Sequence, residues 1–300
     1  MAPPRVVRRS SRVTVMGSIL VRVVGATMVL MSSTASAQDA APADWETHRD
    51  ERRDLTAAFL PTTTGIDILF RCEKGAFTGF LAGLPQQEGD QRTLEVAFGD
   101  APLANSRWTS GSEGTSVFSE FPAPFARKMR EGGRFQLRVP NGTEDGRPVR
   151  YVIDLPPSNV AIDQALQACG RPLVDPRDAE IEAVEENGLP TALEWVQRPR
   201  PTFPNTNYAR GFATVSCIAS PQGRARDCVV ETEHPFDGRF GKATLDAMGA
   251  VRLRNRLNPD IEIPPSRFVF RANYIMAGYV TREDQQRARE AAAARRAAPD

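Results

Sequence analysis

The side chains best suited to covalent or metal chemistry in this 300-residue chain are four cysteines and two histidines. His48 lies in the charged run Glu46–Asp54, and His234 stands beside Pro235 after a strand-like stretch. Neither has a second histidine or a cysteine pair at metal-ligand spacing, so both read as solvated loop histidines, with no metal and no cofactor expected. There is no Gly-x-Ser-x-Gly elbow, and Ser110–Ser112 reads as a polar turn. Gly241-Lys242-Ala243-Thr244 lacks the upstream glycine of a phosphate-binding loop, because Phe236 stands there, and Ala243 replaces the required hydroxyl residue. Glu185-Glu186 and the Glu231, Glu233 pair read as solvated carboxylates, and Asn141-Gly142-Thr143 as a turn. A nucleophile, a base and an orienting group cannot be assembled from these parts, so no catalytic residue is assigned and a non-enzymatic protein is expected.

Cys72, Cys169, Cys217 and Cys228 remain, and an even count in an oxidising compartment favours two disulfides. From Phe212 to Ile218 the chain alternates as a strand, Pro221-Gln222-Gly223 turns it, and Ala225 to Glu231 runs back. With the turn centred between Gln222 and Gly223, Cys217 falls opposite Cys228, at the ~4.5 to 5.5 Å separation that a bridge accepts. Pairing Cys72 with Cys169 then keeps one bridge inside each of two expected domains. The compartment follows from the first residues. Arg5, Arg8, Arg9, Arg12 and Arg22, the apolar run Val23–Met31, and Ala35-Ser36-Ala37 before Gln38 have the order of a cleavable secretory signal peptide, 1–37. Arg22 interrupts the apolar stretch, leaving it far short of the ~20 residues of a membrane span. Removing these five arginines from the 38 Lys and Arg leaves 33 against 37 Asp and Glu, a net of −4. That mild acidity offers nothing to nucleic acid. The localisation expected is the periplasm.

The elements that must position these residues are mostly strands, and the fold class is α+β. Ile66–Cys72, Phe77–Leu84, Thr93–Phe98, Phe135–Val139 and Val149–Leu155 read as strands between Gly, Asp and Asn turns. Phe121–Met129 and Asn159–Cys169 read as helices, the second capped by Ser158 or Asn159 with Ile162, Ala165, Leu166 and Cys169 on one face. Trp45–Leu60 fits either a strand pair or a short helix. The expected plan is a mainly β, disulfide-bridged domain over 45–173, an acidic linker over 174–197, a second domain over 198–279 and a charged helical or disordered tail over 280–300. In the second domain the hairpin precedes a helix from Phe240 to Val251 and a strand from Ser266 to Met276.

That order resembles the C-terminal domain of TonB, the family of energy transducers that reach across the periplasm to outer-membrane receptors. The residues that carry it are Phe203-Pro204 where the family usually has Tyr-Pro, Gly211 and Val215 entering the first strand, and Gly223 in the turn. They continue with Phe240–Leu245 opening the helix, Leu257–Pro259 after it and Phe268–Tyr274 in the last strand. The resemblance implies that an exposed strand accepts an extended peptide from an envelope or outer-membrane partner. By position it implies a partner-binding surface of Phe203, Pro204, Arg267, Val269, Arg271 and Asn273. The family's membrane anchor and long Pro-rich spacer are replaced here by a cleavable leader and a folded domain, so a periplasmic adaptor is expected, with no membrane span after processing. The stretch Trp45–Leu173, with a Cys ending an early strand and another ending a final helix, resembles periplasmic domains of the VasI kind. Arg252, Arg254 and Arg256 alternate with Leu253 and Leu257, and on an extended segment they would form a basic row able to meet cell-wall polymer. A wall-binding structural protein and an envelope hydrolase with its site between the domains are the alternatives.

Overall fold

Asp50 shows how local chemistry starts the fold. In the computed structural model, which describes residues 44–280 and 282–297, it ends β1 (Glu46–Asp50). Its carboxylate caps the 3-10 turn Glu51–Arg53, accepting from the N–H of Arg52 at 3.0 Å and of Arg53 at 3.3 Å. Asp54 adopts the left-handed conformation and sends the chain back as β2 (Leu55–Leu60). The stretch that the sequence left open is therefore a strand pair joined by one helical turn. The expected leader lies outside the described residues.

Then follow β3 (Asp67–Glu73), β4 (Ala76–Ala82), β5 (Gln91–Phe98), β6 (Ala104–Ser110), β7 (Val117–Ser119), α1 (Pro122–Met129), β8 (Gly133–Val139), β9 (Val149–Leu155) and α2 (Val160–Ala168). The strands form one antiparallel sheet in the order β1-β2-β3-β4-β7-β6-β5-β8-β9. β6 and β7 were not anticipated. β6 reads Ala-Asn-Ser-Arg-Trp-Thr-Ser, too polar to announce a strand, and it is held by β5 on one side and β7 on the other. Helix α1, with Pro122 at its first turn, places Phe125 among the rings of Phe70, Trp108 and Phe135, at centroid distances of 5.4, 5.2 and 5.8 Å. These edge and tilted contacts are the favoured aromatic geometries. Helix α2 buries Ala161, Ile162, Ala165 and Leu166, as its spacing predicts, although Asn159 makes no side-chain cap. The Cys72–Cys169 bridge ties β3 to the end of α2.

The remaining elements are α3 (Arg177–Glu182), β10 (Leu193–Gln197), β11 (Arg210–Ala219), β12 (Ala225–His234), α4 (Phe240–Ala247), β13 (Arg252–Asn255), β14 (Ser266–Ile275) and α5 (Arg282–Ala297). β12, β11 and β14 make a second antiparallel sheet in that order, and β10 pairs with β13 as a separate ribbon. The segment 174–197 is packed: Leu189 and Leu193 are buried with Met248, Leu253 and Phe268. Its apolar residues are few and interleaved with charge, so no periodicity announced them. The Cys217–Cys228 bridge spans the β11–β12 hairpin, where the register slips between Ser216 and Ile218 and Asp227 takes a positive φ.

Residues alternate across this second sheet, which gives it two unlike faces. Ala213, Val215, Cys217 and Ala219, with Phe268, Phe270, Ala272 and Tyr274, form the face beneath α4 and the ribbon. A Cβ at Gly211 would come within 2.0 Å of the Phe240 ring, so glycine is what lets α4 sit this close. The other face carries Phe212, Thr214 and Ser216 beside Val269, Arg271 and Asn273, and it meets the nine-stranded sheet. Thr232 Oγ1 donates to the Phe77 carbonyl at 3.2 Å, Arg271 pairs with Glu120, and Arg210 pairs with Asp90. Glu231, 2% exposed, accepts from Ser216 Oγ at 2.5 Å and pairs with Arg177 at 3.3 Å and Arg171 at 3.8 Å. The expectation of a solvated Glu231 is therefore corrected: its bonded partners lie on three other segments that no sequence spacing brings together.

Candidate binding groove at a sheet edge

β14 is an outer strand, and the phase of its hydrogen bonds tells which backbone groups are free. Met276 N–H donates to the Ala209 carbonyl, one step beyond the Arg210–Ile275 pair. In an antiparallel ladder bonded pairs recur every second residue, so Ser266, Phe268, Phe270, Ala272 and Tyr274 spend their backbone groups on β11. The groups of Arg267, Val269, Arg271, Asn273 and Ile275 point away from the sheet.

Over the first half of this border the chain covers itself. Val269 N–H donates to the Gly188 carbonyl at 2.7 Å, Arg267 pairs with Glu180 of α3 at 2.7 Å, and Arg271 Nη1 donates to the Glu186 carbonyl at 3.4 Å. Gly188 holds φ +84°, where a Cβ would lie 2.1 Å from the Val269 carbonyl oxygen, so this strap needs glycine at its contact point. Gly188 N–H closes a turn onto Glu185 O at 2.8 Å, and Trp195 Nε1 donates to Asn187 O at 3.2 Å. The strap ends there. Asn273 and Ile275 have no backbone partner among the described residues.

Their strand end forms one wall of a groove of about 650 Å³, opposite Ser110, Gly111, Ser112 and Ser116 at the β6–β7 turn. Phe118, His234 and Phe212 line the same groove, the His234 ring stacked 4.1 Å from Phe118 and tilted 6.1 Å from Phe212. The reading of His234 as a solvated loop residue is corrected: it ends β12 and is half-buried at the meeting of the two sheets. Burial, with Arg71 and Arg210 close by, holds its imidazole pKa down to about 4. His48 is exposed, as expected, but on β1. Asp90 and Arg210, the charged residues of the lining, are paired with each other. Glu233 differs from its expected state too. Its Oε2 accepts the Gly241 N–H at the start of α4 at 2.7 Å, and burial pushes its carboxyl up.

The residues singled out in the sequence are not all in one place. Phe203 packs edge-on against Phe240 and Tyr274, at 6.0 and 6.1 Å, with Pro204 half-buried beside it. Arg267, Val269, Arg271 and Asn273, spaced by two, share the face that meets the first sheet; Val269 is buried there and Asn273 is exposed in the groove. Of the arginine row, Arg254 pairs with Glu194 across the ribbon. Arg252 Nη1 donates to the carbonyls of Gly249 at 3.2 Å and Val251 at 2.6 Å. The Arg256 side chain is exposed beyond the end of β13. Asp90, Ser110, Gly111, Ser112, Ser116 and Phe118 carry no binding signal in the sequence, because they reach the groove only through the pairing of β5, β6 and β7. Among the described residues, no group of three His, Cys, Asp or Glu side chains is placed to hold a metal.

No protein-family model and no curated protein matches the chain. Among solved structures, the C-terminal domain of Pseudomonas aeruginosa TonB, determined by solution NMR, aligns over 30% of this chain and 91% of its own, with 17% identity and a TM-score of 0.26.

Proposed function

We propose that this chain is an exported, non-enzymatic protein of the cell envelope that binds an extended segment of a partner by strand addition at the open end of β14. The observation that carries the reading is the pair of outward backbone faces at Asn273 and Ile275, unpaired and beside a groove. An added strand would satisfy those N–H and C=O groups, giving affinity from the main chain and selection from the groove. Export is supported by the two disulfides, with no free cysteine among the described residues, since such bridges persist in oxidising compartments. No helix among the described residues is long and apolar enough to cross a membrane. The mode of binding is the one that the resemblance to the TonB C-terminal domain implies, with a periplasmic adaptor for an envelope or outer-membrane transport protein as its role. Wall polymer held by the arginine row has less support, because Arg254 and Arg252 are engaged within the chain.

The test is a photo-crosslinker placed at exposed Tyr279, on the groove wall, in cells that export the protein. A crosslinked envelope protein is expected, and Asn273→Pro should abolish it by removing the outward N–H without touching a bond to β11. Lys242→Ala, at an exposed position on α4, serves as the control that keeps the crosslink. Crosslinking that survives Asn273→Pro unchanged defeats the proposal.

A further inference from the structure

The open end of β14 has a neighbour that no strand edge requires, an aromatic floor without a free charge. Phe118, Phe212 and His234 are in ring contact at the meeting of the two sheets, and Asp90 and Arg210 neutralise each other in the same lining. The rim is apolar as well: Ile275 is 47% exposed, Met276 41% and Tyr279 39%. Isolated exposed apolar residues are ordinary, but three within five positions, beside unpaired strand backbone, form a patch that a partner would cover. A lysine or carboxylate entering here would lose water and find each counter-charge already engaged. An aliphatic or aromatic side chain loses nothing by the same step, and rings add contacts with Phe118 and Phe212.

We infer that the strand added to β14 presents an uncharged, apolar side chain, aromatic by preference, to the groove floored by Phe118, Phe212 and His234, and that charged side chains are rejected there. This rests on the strand-addition reading and says which partner segments satisfy it. Because side chains alternate along a strand, the selected residue stands alone between neighbours that face the other way. The partner is therefore recognised by one apolar position in a polar extended segment.

The experiment follows the backbone amides of Asn273 and Ile275 by NMR in the ¹⁵N-labelled chain, purified as the cell produces it. The probes are capped peptides Thr-Ser-X-Ser-Thr with X as Phe, Leu, Ala, Lys or Glu. The Phe and Leu peptides should shift the two amides at concentrations about tenfold or more below those needed for Lys or Glu. Ile275→Glu, at an exposed rim position, should reverse the order between Lys and Phe. Lys or Glu peptides that match Phe on the unaltered chain, or an Ile275→Glu chain with unchanged preference, overturn the selectivity and leave strand addition standing. Amides that respond to no peptide overturn strand addition and this inference with it.

Discussion

His234 concentrates the chemistry of the groove in one side chain. In the folded chain its pKa is held at about 4 by burial, with Arg71 and Arg210 adding to the effect, against an ordinary value of 6.5. Between those values the unfolded chain binds a proton that the folded chain refuses, so stability falls as pH falls from 6.5 towards 4. The full effect is on the order of 3 kcal/mol. Urea midpoints at pH 7 and pH 4.5 should differ accordingly, and His234→Gln should flatten that part of the difference; an equal pH dependence in both chains would remove His234 as its source. Glu233 acts in the opposite direction: burial raises its carboxyl while the Gly241 N–H opposes the rise, so the folded chain holds that proton more firmly and the contribution is lost as pH rises. Gly188 is the other residue to test. Gly188→Ala would force a Cβ against the Val269 carbonyl and a strained φ, costing roughly 1–3 kcal/mol, read as a lower thermal midpoint.

The elements differ in how they are held. The Cys72–Cys169 bridge closes a separation of 97 residues and the Cys217–Cys228 bridge only 11. In the chain-entropy account the first contributes about 4 to 5 kcal/mol and the second about 3 kcal/mol. Replacing each pair by alanine should therefore loosen the nine-stranded sheet more than the hairpin, as followed by proteolysis in rising urea; equal protection of both would contradict the account. β14 itself divides in the middle. Its first half is bound to the strap and its second half is free, so Val269→Pro should destabilise by about 1 kcal/mol or more through loss of the bond to Gly188, whereas Asn273→Pro loses no such bond. Hydrogen exchange should likewise be slow at Val269 and fast at Asn273.

At the scale of the whole molecule the two sheets are joined by a polar face as much as by an apolar one. Arg171 and Arg177 reach Glu231, Arg127 donates to Asp178 at 2.5 and 2.6 Å, and Arg271 reaches Glu120. Burial lowers the Arg171 pKa while Glu231 opposes that, so each charge depends on its partner. Glu231→Ala leaves Arg171 without its carboxylate, while Arg177 keeps Asp175 at 2.7 Å, and should cost roughly 3 kcal/mol, measured by denaturant midpoint. A cost below about 1 kcal/mol would show that Arg171 hydrates instead. Joined in this way, the second sheet has its polar face against the first, one half of β14 is strapped, and the groove is what the junction leaves open.

Much of this was legible in the residues. The alternation from Phe212 to Ile218, the Pro-Gln-Gly turn and the four cysteines specified the hairpin, its bridge and the longer bridge, because strand period, turn chemistry and sulfur pairing are local or countable. The face of α2 was equally plain. β6, β7, β10 and β13 were not, since short polar strands exist only when neighbours supply their pairing. The sequence by itself determined the α+β class and the hairpin-helix-strand order. Only the tertiary structure decided which face of β14 is covered, that His234 is half-buried against Phe118, and that a groove opens at Asn273, because each depends on contacts between residues far apart in the chain, such as Arg210 with Asp90 and Val269 with Gly188.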